Sequence, residues 1–200
     1  MKKRIISTIL LVASALTLLS GYALTAEQRA LADKLVRLHV VANSDSETDQ
    51  AVKLQVRDAV LAETRRLLAD ETDPIPALRA GLPAIEAAAN RTLAGAGSTD
   101  RAAVSLGPEL FPTRDYETFS LPAGRYTALR VTIGEGQGHN WWCVVYPALC
   151  LSASAGELEA AAQAAGLSDG EIALITGESG GYELKFKALE WLEQFQDWFS

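Results

Sequence analysis

Residues 35–49 read LVRLHVVANSDSETD, an alternating apolar run that passes directly into a polar, acidic helix start. Val36, Leu38 and Val40 fall on one side of an extended chain and Arg37, His39 and Val41 on the other, the period of a half-buried strand. Ser46, with Asp49 three residues on, is a capping-box-like N-terminus, and the acids of the first turn suit the helix dipole. From there Val52, Val56, Ala59, Val60, Leu67 and Leu68 fit a helical stripe, with Asp49 and Lys53 spaced for an i,i+4 pair. DPIPALRAGLPAIEAAANRTLAG follows as a second helix, with Pro76 near its start and Gly95 as its stop.

Beyond these helices the punctuation changes. RAAVSLG is a short strand candidate, and FPTRDYETFSLPAG is a Pro/Gly-marked connection carrying Phe111, Tyr116 and Phe119. RYTALRVTIG alternates again, with Thr127, Leu129, Val131 and Ile133 opposite Tyr126, Arg130 and Thr132. The Gly-rich GEGQGHN loop joins it to NWWCVVYP, and the two strands read as a hairpin. An alanine-rich helix from about Gly156 to Ala165 comes next, then TGESGG and YELKFKALEWLEQFQDWFS. Two helices between a first strand and a run of later strands give an α/β fold. It is expected as a single small domain, helices packed on one small mixed or antiparallel sheet.

The N-terminus reads MKKRIISTILLVASALTLLSGYALTA. Three positive charges precede an uncharged apolar run from Ile5 to Leu24, the pattern of an export signal. The run is also long enough to span a bilayer, which takes about 20 residues. Residues 1–26 are therefore a signal peptide or membrane anchor, cleaved or retained. Residues 27–200 are the extracytoplasmic domain, since the basic flank precedes the apolar span. Formal net charge is −7, and without Lys2, Lys3 and Arg4 it becomes −7 − 3 = −10. So acidic a body disfavours phosphate backbones and anionic lipid surfaces. Nucleic acid is set aside, and membrane contact is expected only through the N-terminal segment.

Catalytic patterns are weak. GESGG places Ser179 at a nucleophile-elbow position, but no histidine follows it and the next residues look extended, so it reads as a glycine turn. Cys143 and His139 stand four apart in a strand-like segment, about 13 Å when extended, beyond hydrogen-bond reach. His39 could still be brought to Cys143 by the fold. The cysteine and histidine spacing suits no usual zinc site. NSDSETDQ lacks the glycine and closing glutamate of a calcium loop. No metal and no cofactor are expected. The two cysteines, outside the cytoplasm and with Pro147 between them, suggest a Cys143–Cys150 disulfide; two buried free thiols are the alternative. Trp141 and Trp142 are neighbours on a strand and must face opposite ways. The tail stripe of Ala188, Trp191, Leu192, Phe195, Trp198 and Phe199 reads first as core.

HVVANSDSETDQ and GEGQGHNWWCVVYPALC, with FPTRDYETFSLPAGRYTALRVTI before the second block and KFKALEWLEQF near the end, resemble the stage II sporulation protein R family of endospore-forming bacteria. The resemblance covers most of residues 35–151; residues 152–200 form a variable C-terminal part with a looser echo of the family. It implies a signalling protein with no catalysis of its own, exported into the space between the forespore and mother-cell membranes. Its implied partner is a membrane-embedded sporulation aspartic protease that processes the precursor of mother-cell sigma factor E. Asn43, Asp45, Glu135, Asn140 and one of Trp141 and Trp142 are then the expected partner contacts. Two other readings stand beside it. One is an exported cell-wall hydrolase using Cys143; the other is a wall-glycan or small-molecule binding module lined by Tyr126, Trp141 or Trp142.

Overall fold

A computed structural model of the chain describes residues 28–69, 71, 73–151 and 154–177. After a helical segment at 28–33 the order is β1 (Val36–Val41), α1 (Glu47–Leu68), α2 (Pro74–Gly95), β2 (Ala102–Phe111), β3 (Arg114–Asp115) and β4 (Ser120–Leu121). β5 (Gly124–Ile133), β6 (Asn140–Tyr146), a 3-10 turn at Leu149–Leu151, α3 (Ala155–Ala164) and α4 (Asp169–Thr176) complete it. The mixed α/β class expected from the sequence is what forms. The leader, Ser179 and the C-terminal stripe lie outside the described residues. Among the described residues no helix is long and apolar enough to cross a membrane.

The main sheet has the order β2-β5-β1-β6, and β3 and β4 form a separate two-stranded pair. β1 pairs parallel to β5 and antiparallel to β6, while β2 and β5 are antiparallel. This corrects the expected β5–β6 hairpin. The two strands are consecutive, yet β1 lies between them, so the GEGQGHN loop crosses over the end of β1. Alternation identifies a strand but says nothing about which strand it neighbours, and a central slot can be filled from an earlier part of the chain.

β1 is also buried on both faces, not half-buried. α1 and α2 cover one face, where Leu38, Val40, Leu129, Val131, Ile133 and Val145 meet Val56, Val60, Leu78 and Ile85. On the other face Phe111, Tyr126, Ala128 and Val144 pack with Phe119 and Leu121 of the β3–β4 region and with Leu158, Ala162, Ile172 and Ile175 of α3 and α4. The sheet thus has cover on both sides, where the sequence suggested one helical layer. β2 is longer than the short strand expected, running through Gly107 and Pro108 to Phe111. It is an edge strand, where the missing proline N–H costs little.

Two local devices hold the helical layer. Ser46 is extended and its side chain accepts the Asp49 N–H, the expected cap of α1. Asn90 of α2 grips β2 from both directions: its Nδ2 donates to the Ala102 carbonyl at 2.9 Å and its Oδ1 accepts the Ala102 N–H at 3.0 Å. The expected Asp49–Lys53 pair does not form. Asp49 turns back to accept from Ser44 Oγ at 2.6 Å and Asn43 Nδ2 at 3.0 Å. Lys53 instead donates to Gln50 Oε1 at 2.5 Å and to the His139 carbonyl at 2.9 Å. Fixed partners on the neighbouring loop outcompete a helix-surface pair worth only a few tenths of a kcal/mol.

Candidate functional site

The C-terminal end of β1 and the N-terminal end of β6 lie side by side, because Val41 is registered with Asn140 and Val40 with Trp141. That register brings together two blocks about ninety residues apart in the chain. Asn43 accepts the Glu135 N–H on Oδ1 at 3.0 Å, and the Asn43 carbonyl accepts the Gln137 N–H at 3.1 Å. The Ala42 carbonyl accepts the Gly138 N–H at 2.9 Å. Asp45 accepts the His139 N–H at 2.6 Å, and its carboxylate also lies 2.5 Å from His139 Nδ1.

Glycines make this close approach feasible. Gly134 has φ +55°, a conformation L side chains rarely adopt, and a Cβ there would strike Asn43 Oδ1. A Cβ on Gly138 would fall on the Ser44 carbonyl, a backbone atom that cannot swing aside. The electrostatics of the knot follow from its hydrogen bonds. The Ser44 hydroxyl, then the Asn43 amide, hold the Asp49 carboxyl below its ordinary value. Burial pushes the Lys53 ammonium down, against the opposing pull of the Asp45 carboxylate.

Of the six expected contact residues, Asn43, Asp45, Glu135 and Asn140 thus gather at one end of the sheet. Asn43 and Asp45 are already engaged within the chain. Asn140 is exposed, and its Oδ1 lies 2.8 Å from His39 Nε2. His39 Nδ1 is 2.6 Å from Glu109 Oε1, which also accepts from Arg130 Nη1 at 2.8 Å. Both ring nitrogens of His39 are therefore taken.

The tryptophans face opposite ways, as adjacent strand residues must. Trp141 is 38% exposed on the α1 side, with the Arg57 guanidinium 4.4 Å above its ring. Trp142 is half-buried on the other side, stacked on His39 with centroids 5.6 Å apart and under Arg114 at 3.8 Å. Beside them runs a cleft of about 480 Å³. It is lined by Arg57, Asp58 and Leu61 of α1, by Tyr116–Phe119, and by Trp141, Trp142 and Cys143 of β6.

Cys143 and Cys150, for which the sequence suggested a disulfide or two buried free thiols, are free thiols in this structure. They are nevertheless neighbours. The Cys150 thiol hydrogen-bonds to Cys143 and holds it below the ordinary thiol value, while the same contact and burial push Cys150 up. Cys150 sulfur also accepts the Val144 N–H at 3.0 Å.

The family profile of stage II sporulation protein R matches residues 32–155. The chain belongs to that family. It is 40% identical over 121 residues to "Stage II sporulation protein R" of Bacillus subtilis (strain 168), covering 59% of this chain and 54% of that protein. The alignment thus spans about half the length of its relative. No solved structure matches the chain. The matched residues include every strand among the described residues, the two long helices, both interlocking blocks and the two cysteines.

Sequence reasoning did not single out Lys53, Arg57, Glu109, Arg114 or Tyr116 as part of this region. Arg37 and His39 were visible as the polar face of β1, the one available signal. Arg37 is fully buried, with its guanidinium 4.1 Å from the Phe111 centroid and 4.8 Å from that of Tyr126. Its Nη2 donates to the Tyr116 hydroxyl at 3.1 Å, while Nε and Nη1 have no hydrogen-bond partner among the described residues. Burial raises the Tyr116 phenol to about 12, so it stays protonated and can accept.

Proposed function

We propose that this protein is an exported sporulation signal that activates a membrane-embedded aspartic protease in the intermembrane space, leading to processing of the mother-cell sigma factor E precursor. It acts by contact and performs no chemistry itself. Family membership supplies the class. The observation that supports a contact mechanism is Trp141, a large exposed aromatic that lines the cleft beneath Arg57 and directly follows the exposed Asn140 in β6. Central aromatic and arginine anchors ringed by polar groups carry most of the energy in protein interfaces.

The hydrolase alternative draws little support from the geometry. A cysteine nucleophile needs a base, and both nitrogens of His39 are committed to Glu109 and Asn140. The glycan-module reading loses Tyr126, which is 1% exposed and donates its hydroxyl to the Pro122 carbonyl at 2.7 Å.

The test is reconstitution of precursor processing with purified protein and membranes carrying the protease. Trp141→Ala should fold normally and need at least tenfold more protein for half-maximal processing, as expected when an anchor worth about 2 kcal/mol is lost. Processing at the wild-type dose would overturn the assignment of Trp141. No response to the wild-type protein at any dose would overturn the function itself.

A further inference from the structure

One polar side chain from each strand of the main sheet joins a chain of contacts on the face away from α1 and α2. The four are Glu109 of β2, Arg130 of β5, His39 of β1 and Asn140 of β6. Register sets His39 beside Arg130 on one flank and Trp142 on the other. Glu109 Oε1 lies 2.6 Å from His39 Nδ1 and accepts from Arg130 Nη1 at 2.8 Å. At the far side of the ring, His39 Nε2 lies 2.8 Å from Asn140 Oδ1. The ring is buried, stacked on Trp142 and edge-on to Phe111, so packing holds its orientation.

This arrangement fixes where a proton comes and goes. A carboxylate only accepts, so Nδ1 carries hydrogen whether the ring is charged or neutral. Gain and loss of a proton are thereby confined to Nε2. A charged ring donates from Nε2 and needs an oxygen opposite, which Asn140 Oδ1 supplies. A neutral ring accepts at Nε2 and needs a donor, which Asn140 supplies once its amide turns over to present Nδ2. Whichever arm of the amide meets His39, the other is directed away from it. Asn140 is exposed, so that second arm is available for contact.

Charges of both signs act on the ring. Glu109 meets it directly, and Arg130 reaches it through Glu109. Arg37, two residues earlier on β1 and bonded to Tyr116, shares Phe111 with it. Arg114 of β3 lies 3.8 Å over the Trp142 ring on which His39 stacks. Asp45 and His139, paired with each other, adjoin Asn140 along the chain.

We propose that His39 is a positioning residue for Asn140, its proton state selecting whether Asn140 offers a partner its NH2 group or its carbonyl oxygen. With the ring charged the NH2 is free for contact; with the ring neutral the carbonyl is. The contact that directly precedes Trp141 is thus set by pH. This rests on the contact role proposed for Asn140, but the switch itself lies within the chain and can be read without a partner.

Nitrogen-15 NMR of the full chain tests the switch between about pH 5 and pH 8, the range in which histidine ordinarily changes charge. The chain has two histidines, so His139→Gln identifies the His39 signals. Nδ1 should stay protonated throughout and Nε2 should lose its proton as pH rises. The Asn140 side-chain amide signals should move with the same midpoint. Glu109→Leu removes the fixed acceptor and should uncouple Asn140 from the ring, while Val40 and Leu129 backbone signals report a folded protein. A proton lost from Nδ1, a ring that keeps one charge state over the whole range, or Asn140 signals indifferent to it would overturn the switch. In the processing assay, the ratio of half-maximal doses for Asn140→Ala and wild type should change about fivefold between the two pH limits, the worth of one hydrogen bond. A constant ratio would overturn the positioning role and leave Trp141 unaffected. No response to either protein would overturn the signalling reading and the contact role with it, and the NMR titration would still decide the switch.

Discussion

Asp45 and His139 are joined twice: the Asp45 carboxylate accepts the His139 backbone N–H at 2.6 Å and meets its ring Nδ1 at 2.5 Å. One residue follows β1 and the other precedes β6, so the pair ties the start of α1 to the loop that crosses over β1. Asn43 repeats the tie one turn deeper, through Glu135 and Asp49. The two family blocks are thus a single structural unit.

Asn43→Ala should destabilise more than Asp45→Ala. Asn43 is half-buried and its loss leaves the Glu135 N–H and the Asp49 carboxylate each short of a partner. Asp45 is exposed, and water can replace it. Urea denaturation should show a loss of roughly 1–3 kcal/mol for Asn43→Ala and about 1 kcal/mol or less for Asp45→Ala. Equal losses would mean that the Asn43 bonds add nothing beyond the exposed pair.

Acid should loosen the knot through Asp49. Its carboxyl is depressed in the folded protein, chiefly by the Ser44 hydroxyl and then by Asn43. A depressed carboxylate contributes stability that is fully present above its unfolded value, and the contribution fades as pH falls through the folded value. The window therefore opens near the ordinary aspartate value of 3.8 and extends below it. Asp49→Asn should flatten stability against pH in that range, measured by thermal unfolding from pH 5 to pH 2. An unchanged acid limb would show that Asp49 is not coupled to folding.

Arg37 invites the opposite kind of substitution. It is fully buried, rests on two aromatic rings and, among the described residues, has a hydrogen bond from Nη2 to Tyr116 and no partner for Nε and Nη1. Replacing a buried, poorly compensated charge with an apolar residue of similar volume is often neutral or stabilising by about 1–4 kcal/mol. Arg37→Met should accordingly hold or raise the midpoint of denaturant unfolding. A drop of more than about 1 kcal/mol would mean that the cation contacts of Arg37 with Phe111 and Tyr126 outweigh its desolvation.

The thiols are placed for oxidation. Protein recovered from an oxidising compartment should carry a Cys143–Cys150 disulfide, detected as resistance to alkylation until a reductant is added. In the reduced protein, Cys143 should alkylate at lower pH than Cys150, because the shared hydrogen bond favours the Cys143 thiolate and disfavours that of Cys150. Two alkylatable thiols in the exported protein would exclude the bridge.

Much of this molecule was legible in one dimension. The period of β1 and β5, the Ser46 cap, the proline start of α2 and the opposed tryptophans are consequences of nearest neighbours along the chain. So was the grouping of Asn43 and Asp45 in one block and of Glu135 and Asn140 in the other. Sequence alone could not decide that β1 lies between β5 and β6, since alternation marks a strand's faces but not its edges. That insertion joins the two blocks and buries Arg37 and His39 beneath a second layer. It also redirects Lys53 from Asp49 to the His139 carbonyl. Each of these outcomes depends on contacts between residues far apart in sequence. Only the tertiary fold could select them, because only there does burial make an unmet polar group costlier than a broken local pair.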